Sequence, residues 1–151
     1  QILLVVIIID VIIYLLLKMK VNASPPAQVR TVLKASQYRD YTKYIINQMN
    51  LESGYITNTL SQPPLYNIFS MSTVRRRPTT QIDSYSNPNI DGGQSFGVYE
   101  SYISAAEDFI LYLGYVRIPQ GLDCQEYNAF IVSKNYAVDP LYQEKLNAMC
   151  R

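Results

Sequence analysis

The sequence predicts one mostly helical domain with a small polar β-hairpin, preceded by a transmembrane helix. Three observations lead to this prediction. Apolar residues recur at helical spacing in several segments after residue 28. A stretch rich in Asn, Asp, Gly and Ser at residues 75–97 interrupts those segments and suits a hairpin or, as the alternative, a mobile loop. An almost continuous apolar run occupies residues 2–17, at the start of the chain.

The apolar run predicts a membrane anchor over residues 1–20, with residues 2–19 in contact with lipid. As a helix continued to residue 19, the run would extend roughly 27 Å, enough to cross a thin hydrocarbon core. A cleaved signal peptide and a buried core helix are the alternatives. Lys18 and Lys20 follow the run instead of preceding it, which disfavours the signal peptide. Because Asp10 is costly in lipid unless it faces protein, we expect it to contact a membrane or capsid protein.

The remaining chain divides into a linker at residues 21–27 and a domain at residues 28–151. Pro25 and Pro26 predict the linker, because proline interrupts a helix. Periodicity and capping residues predict helices over residues 28–34, 38–51, 102–115, 123–133 and 140–149. Gly54 is expected to end the second helix, and Asp139 with Pro140 to begin the last. We expect the second helix to pack against the helix at residues 102–115.

The composition excludes several kinds of chemistry. The chain has no histidine, which removes Ser/His and Cys/His catalysis and most zinc sites, so no metal or cofactor is predicted. A net charge of +1 gives no basic field for nucleic acid. The 14 tyrosines suit either a sugar-binding groove or a core without tryptophan. Cys124 and Cys150 either pair or stay free. The arginine run at residues 75–77 is interpreted as a solvated loop cluster, with anionic wall polymer or phospholipid as the alternative partner.

Four segments occur in the order typical of one family. Residues 51–55 (Leu-Glu-Ser-Gly-Tyr) are similar to a Glu-Ser-Gly-Trp-Gly signature, and residues 66–70 (Tyr-Asn-Ile-Phe-Ser) to Asn-Asn-Leu-Phe-Gly. Residues 99–102 (Tyr-Glu-Ser-Tyr) are similar to a Tyr-x-Ser motif that leads a helix. Residues 135–142 (Asn-Tyr-Ala-Val-Asp-Pro-Leu-Tyr) are similar to Gly-Tyr-Ala-Thr-Asp-Pro-x-Tyr. Residues 37–149 thus resemble the glucosaminidase domain of bacterial autolysins, glycoside hydrolase family 73.

The resemblance implies an α+β lysozyme-like fold with Glu52 as the catalytic acid. Glycoside cleavage requires a proton donor at the leaving oxygen. Apolar neighbours at a helix end would partly desolvate Glu52, raise its pKa and keep it protonated near neutral pH. The chain departs from the family at Tyr55, which replaces tryptophan, and at Ser70, which replaces glycine. The family's hairpin Glu has no clear match, and Gln81 lies near its position.

The second catalytic role is assigned to Asp83, with Asp91 as a further candidate, because both lie on the predicted hairpin and could face the groove. The alternative for both aspartates is a purely structural role, because aspartate favours turns. An acetamido group of the substrate, or a transglycosylase-type internal attack, would replace a missing carboxylate. The expected substrate-binding residues are Tyr55, Tyr66, Asn67, Phe69 and Tyr115. For Tyr115, a place in the core is the alternative.

These inferences predict a membrane-anchored peptidoglycan hydrolase of the N-acetylglucosaminidase type, acting on β-1,4 glycan strands. A lytic transglycosylase or muramidase of the same superfamily is one alternative, and an inactive structural membrane protein of a virion is another. The positive-inside rule would keep the lysines after the span cytoplasmic, whereas a wall hydrolase works outside the cytoplasm. A membrane inside a bacteriophage particle removes this conflict. We therefore expect a single-pass protein of the bacterial envelope or of a virion membrane.

Overall fold

The computed structural model describes residues 23–89 and 91–151, so the predicted anchor at residues 1–20, with Asp10, lies outside the described residues. Within them the protein is mostly helical with one antiparallel β-hairpin, which confirms the predicted fold class of the domain. The helices are α1 (Pro25–Ala35), α2 (Thr42–Ser53), α3 (Tyr102–Tyr115), α4 (Cys124–Ser133) and α5 (Tyr142–Asn147). In the described ranges, none of the helices has the length and apolar content needed to span a bilayer.

Helix α1 begins earlier than the sequence predicted. Pro25 and Pro26 start the helix instead of forming the linker, because the first helical positions need no backbone N–H donor. Val29 and Leu33 on its inner face are fully buried. Helix α1 is the main packing partner of α3, whereas α2 packs against α1, α4 and α5. The expected packing of α2 against the helix at residues 102–115 is not among the main helix contacts, although both helices contribute residues to the same hydrophobic core.

Helix α2 follows a short 3₁₀ turn (Arg39–Tyr41) and ends as predicted. Ile45 and Met49, one turn apart, are fully buried in the core. Gly54 adopts the left-handed conformation (φ 56°), and its N–H bonds the Asn50 carbonyl to close the helix. This ending places Glu52 in the last turn of α2, where its side chain is half-buried.

Strands β1 (Asp83–Ser86) and β2 (Ser95–Val98) form the predicted hairpin, with Asp83 opposite Val98. The segment before β1 is fixed to α3 by a buried ion pair. Arg77 places its two terminal nitrogens 2.8 and 2.9 Å from the two carboxylate oxygens of Asp108. The Arg77 side chain is 6% exposed and that of Asp108 is fully buried. Because of this pair, the interpretation of the arginine run as solvated is wrong for Arg77, although Arg75 and Arg76 are exposed.

The C-terminal helices are held together by a disulfide. Cys124, the first residue of α4, is bonded to Cys150, with their Cα atoms 5.8 Å apart. Helix α5 begins at Tyr142, two residues after the predicted start at Pro140. The carboxylate of Asp139 accepts a hydrogen bond from the Leu141 N–H (2.9 Å), so it caps a turn before the helix instead of the helix itself.

Candidate active site

An open groove of about 680 Å³ passes the C-terminal end of α2. Its walls come from the end of α2, from the hairpin with the segment before it, and from the segment that leads into α5. Glu52 belongs to the first wall, Phe96 and Gln94 to the second, and Tyr136 and Tyr142 to the third. The groove therefore combines a carboxylate, aromatic faces and polar groups, a mixture typical of carbohydrate sites.

Tyr142 orients the Glu52 side chain. Its phenol O–H donates a hydrogen bond to Oε1 of Glu52 from the first residue of α5. Burial raises the pKa of Tyr142 far above its usual value, and the charge of Glu52 adds to the increase. Tyr142 is therefore a hydrogen-bond donor at any physiological pH. This contact bridges two helices and spans 90 residues of sequence.

Tyr136 forms a rigid floor beside this pair. Its ring stacks on Tyr142 with centroids 6.3 Å apart, and its O–H donates to the Phe69 carbonyl at 2.5 Å. Burial raises the pKa of Tyr136 well above the usual value, with a further contribution from the charge of Glu52. The sequence prediction includes neither tyrosine among the site residues. Both lie in residues 135–142, which carry part of the family resemblance, so that segment is the sequence signal that points to them.

The backbone around Glu52 is also fixed. Its carbonyl accepts hydrogen bonds from the Asn58 side-chain amide at 2.8 Å and from the Ser70 hydroxyl at 3.2 Å. Ser70 adopts a left-handed backbone conformation (φ 50°), and so does Asn135 (φ 55°) across the groove. Such conformations in non-glycine residues store strain and often occur at functional sites.

The predicted substrate-binding residues lie outside the lining of this groove. Tyr55 is 70% exposed just after α2, and Tyr115 is 60% exposed at the end of α3. Tyr66 is half-buried and packs edge-on against Tyr102, with ring centroids 5.0 Å apart. Among the predicted site residues whose side chains the structure describes, Glu52 is thus the one in the groove wall.

Asn67 and Phe69 are interior residues with structural contacts. The Asn67 amide donates to the carbonyls of Met71 and Gly97, at 2.8 Å each, and its oxygen accepts from the Met71 N–H. Phe69 stacks on Phe109 with ring centroids 4.2 Å apart. Both side chains are at most 1% exposed. We assign them to the support of the groove instead of its surface.

The predicted catalytic aspartate of the hairpin, Asp83, does not reach the groove in this arrangement. Asp83 is exposed, is not part of the groove lining, and accepts a hydrogen bond from the Ser84 N–H at 2.7 Å. The side chain of Asp91 lies outside what the structure describes. A different aspartate, Asp139, lines the groove beside Lys145, which is 2.5 Å away. Hydrogen bonding from Lys145 lowers the pKa of Asp139, so this carboxylate is ionised at neutral pH.

Gln81, near the position of the family's hairpin Glu, has a structural role. Its oxygen accepts from the Val74 N–H at 2.9 Å, and its amide donates to the Ser72 carbonyl at 3.0 Å and to the Tyr99 hydroxyl at 3.1 Å. The side chain lies so close to Gly97 that a Cβ there would be 2.3 Å from the Gln81 amide. Gln81 therefore connects the segment before β1 to the end of β2, and it does not line the groove.

Within the described residues, no group of three or more His, Cys, Asp or Glu side chains is placed to hold a metal ion. The chemistry that these residues can provide is proton transfer by the Glu52 carboxyl group. A mostly helical domain with a glutamate at a helix end, in the wall of an open groove beside a hairpin, is the arrangement of a lysozyme-like glycoside hydrolase.

Comparison with known families agrees with this class. The Glucosaminidase family model, described as mannosyl-glycoprotein endo-β-N-acetylglucosaminidase, matches residues 30–151. The chain therefore belongs to the Glucosaminidase family and is a glycoside hydrolase. No curated protein sequence matches the chain significantly.

Solved structures share the fold at low sequence identity. A C-terminally truncated glycoside hydrolase domain of FlgJ from Salmonella typhimurium is 25% identical, with a TM-score of 0.54 over 81% of this chain and 87% of that one. A peptidoglycan hydrolase from Sphingomonas sp. A1 is 19% identical, with a TM-score of 0.61 over 84% and 81% of the two chains. The catalytic domain of the autolysin Auto from Listeria monocytogenes is 20% identical, with a TM-score of 0.54 over 82% and 77%.

Proposed function

We propose that this protein is a peptidoglycan hydrolase of the N-acetylglucosaminidase type, which cleaves β-1,4 glycan strands with Glu52 as proton donor. The observation that carries the proposal is the half-buried carboxylate of Glu52 in the wall of an open groove, oriented by the phenol of Tyr142. Peptidoglycan as substrate is supported by the shared fold of the Sphingomonas peptidoglycan hydrolase and the Listeria autolysin.

In this mechanism a glycan strand lies along the groove, with the bond to be cleaved next to Glu52. Tyr136, which is half-buried, offers part of an aromatic face to a sugar ring, and Gln94 offers an amide to its hydroxyls. The carboxylic acid of Glu52 gives its proton to the glycosidic oxygen as the bond breaks. The hydrogen bond from Tyr142 to Oε1 of Glu52 holds the carboxyl group in one orientation for this transfer.

The positive charge that develops on the sugar needs a second group. This group is either the carboxylate of Asp83 or the 2-acetamido group of the substrate. Asp83 is exposed and outside the groove lining, and Asp139 is paired with Lys145, so the positions of both carboxylates favour the acetamido group. Replacement of Asp83 by Asn distinguishes the sources. A loss as large as that for Glu52→Gln would assign the role to Asp83, and a small loss would assign it to the substrate.

The decisive experiment replaces Glu52 by Gln, which keeps the shape and removes the acidic proton. General acid catalysis typically contributes about 10²–10⁴-fold to a rate, so digestion of purified sacculi should fall by at least about 100-fold. The thermal unfolding curve should stay nearly unchanged, since Gln can still accept the Tyr142 hydrogen bond. Full activity of Glu52→Gln would show that the assignment of the acid is wrong.

Product analysis separates the related activities. A reducing-end N-acetylglucosamine supports the proposed glucosaminidase, a reducing-end N-acetylmuramic acid supports a muramidase, and a 1,6-anhydro product supports a lytic transglycosylase. If the wild-type protein digests no sacculus preparation, the inactive structural protein becomes the better explanation. Gln81 in place of a hairpin Glu would then be its simplest cause.

We further propose that residues 2–19 anchor the enzyme by a single span in the bacterial envelope or in a virion membrane, with Asp10 facing a protein partner. The apolar run supports the span, because it contains a single charged residue between residues 2 and 17. Retention of the full chain in membranes after alkaline carbonate treatment is the expected result. Release without detergent would contradict the anchor.

A further inference from the structure

A second, smaller cavity adjoins the groove, and the proposed mechanism does not use it. This cavity of about 220 Å³, here called the side pocket, is lined by residues that include Thr73, Arg77, Tyr112, Lys134 and Asn135. Ser70, Ser72, Asn135 and Tyr136 line both cavities, so the side pocket branches from the groove near Glu52. Its volume is about seven times the ~30 Å³ that one water molecule occupies in the liquid. It therefore suits a short side arm better than a polymer.

The charges of the two cavities differ. The groove contains the carboxylates of Glu52 and Asp139 as well as Lys145. The charged residues that line the side pocket are both cations, Arg77 and Lys134. The Arg77 guanidinium is neutralised by Asp108 behind it. Lys134 is exposed, forms no ion pair within the described residues, and lies with its Nζ 4.9 Å from the centre of the Phe130 ring. The side pocket thus presents one available positive charge beside a polar wall.

A peptidoglycan strand carries a matching group. Alternate sugars bear a lactyl arm that continues into a short peptide, and this peptide has free carboxylates. An arm of this kind projects from the glycan, and the side pocket shares part of its lining with the groove that would hold the glycan. We infer that the side pocket binds the carboxylate-bearing peptide arm next to the bond that is cleaved, with Lys134 as its cationic contact and Asn135 as a polar one. This inference rests on the proposed function, and it makes the enzyme selective for glycan that still carries peptide.

The test compares two soluble substrates made from sacculi treated with hydrofluoric acid, which removes phosphodiester-linked polymers. One set of glycan strands retains uncross-linked peptides, and the other has lost them to an amidase. Replacement of Lys134 by Gln should lower kcat/KM on the peptide-bearing strands about three- to tenfold, because one solvent-screened charge contact is lost. The value for peptide-free strands should change by less than about twofold.

Lys34→Gln is the matched control, since Lys34 is an exposed lysine that lines neither cavity. It should change neither value. An equal effect of Lys134→Gln on both substrates, or no effect on either, would overturn the inference. A third set of strands that retains phosphate polymers tests the other source of anionic oxygens. If Lys134 matters with that set alone, the side pocket binds phosphate and the peptide assignment is wrong.

Binding measurements keep this test separate from the proposed function. If the wild type cleaves no strand, the proposed function fails, but titration calorimetry with the same strands still measures affinity. Tighter binding of peptide-bearing strands by wild type than by Lys134→Gln would support the side pocket even then. Equal affinities of the two proteins for these strands would refute it.

Discussion

Glu52 and Asp108 are two carboxylates that the fold treats in opposite ways. Asp108 is fully buried, and its oxygens accept two hydrogen bonds from Arg77 and one from Tyr99 at 2.7 Å. Glu52 is half-buried in the groove wall and accepts a hydrogen bond from Tyr142. The first carboxylate is enclosed by cationic and polar groups of the chain, whereas the second has a face toward a space that a ligand can fill.

The difference shows how burial decides what a carboxylate can do. Burial opposes ionisation of Asp108, but hydrogen bonds from Arg77, Thr79 and Tyr99 outweigh it and lower the pKa of Asp108. An ionised group that is fully enclosed in this way fixes structure and cannot reach a substrate. Glu52 keeps access to the groove, and for this reason we propose it, and not Asp108, as the proton donor.

The two regions are nevertheless connected. The Asp108 network fixes the chain segment that enters β1, and the hairpin supplies Phe96 and Gln94 to the groove wall. Thr80 strengthens this attachment, since its hydroxyl donates to the Ser104 carbonyl of α3 at 2.6 Å. Asp108 thereby helps to hold in place the groove wall that the hairpin forms.

The largest expected effect on stability is at Asp108. Asp108→Asn keeps the shape but leaves the Arg77 charge buried without its counter-charge, which typically costs about 3–5 kcal/mol. The free energy of unfolding in urea should fall by that amount. Glu52→Gln should change the free energy of unfolding by less than about 1 kcal/mol. This difference would separate the structural carboxylate of Asp108 from the proposed catalytic carboxylate of Glu52. Asp139→Asn, which breaks the exposed pair with Lys145, is the control and should have a much smaller effect. An Asp108→Asn protein as stable as wild type would remove the distinction.

The next effect concerns the group that orients Glu52. Tyr142→Phe removes the phenol donor but keeps the ring, so kcat on glycan should fall about tenfold while KM changes little. Tyr41→Phe is the matched control, because the buried Tyr41 O–H donates to the Pro119 carbonyl at 2.6 Å and neither residue lines the groove. Both variants should lose about 1 kcal/mol of stability. Equal losses of kcat would show that Tyr142 acts through general stability and not through Glu52.

Alkaline pH should lower the free energy of unfolding through Tyr142, the tyrosine that donates to Glu52. Because the folded pKa of Tyr142 is raised, its contribution to stability is complete below the unfolded value near 10. Above pH 10 the unfolded chain releases this proton first, so stability falls by about 1.4 kcal/mol per pH unit for each such tyrosine. Unfolding free energies measured from pH 9 to 11.5 should show a slope smaller by this amount in Tyr142→Phe. A Tyr142→Phe slope equal to that of the wild type would contradict the prediction.

The parts of the molecule that local sequence determines were predictable. Periodic apolar residues predicted the helix at residues 102–115, which matches α3 in both bounds. Gly54 predicted the end of α2 and hence the position of Glu52. The polar stretch predicted the hairpin, because turn-forming residues separate its strands.

The rest depends on contacts between distant residues. Nothing in the arginine run marks Arg77 as the partner of Asp108, 31 residues later. The contact of Tyr142 with Glu52 is equally non-local. Phe69 lies in a short apolar segment that suits either a groove or a core, and its burial is decided by Phe109 of α3. The pattern of a sequence limits which residues are candidates, whereas packing decides which of them face the substrate.

The smallest expected effect tests where strain is stored. Ser70, beside Glu52, has a φ of 50°, a conformation that costs a residue with a Cβ about 1–2 kcal/mol and glycine almost nothing. The resembled family has glycine at this position. The nearby Ser72 has no positive φ and lies opposite Phe96 in an isolated β-bridge.

The usual order of alanine and glycine should therefore reverse between these two serines. Both substitutions at Ser70 remove the hydrogen bond to the Glu52 carbonyl, but glycine also relieves the strain. Ser70→Gly should be more stable than Ser70→Ala by about 0.5–1 kcal/mol, after allowance for the greater flexibility of glycine in the unfolded chain. Ser72→Gly should be less stable than Ser72→Ala by a similar amount. Urea unfolding of the four variants measures both differences. If alanine is the more stable residue at both positions, the strain does not lie beside Glu52.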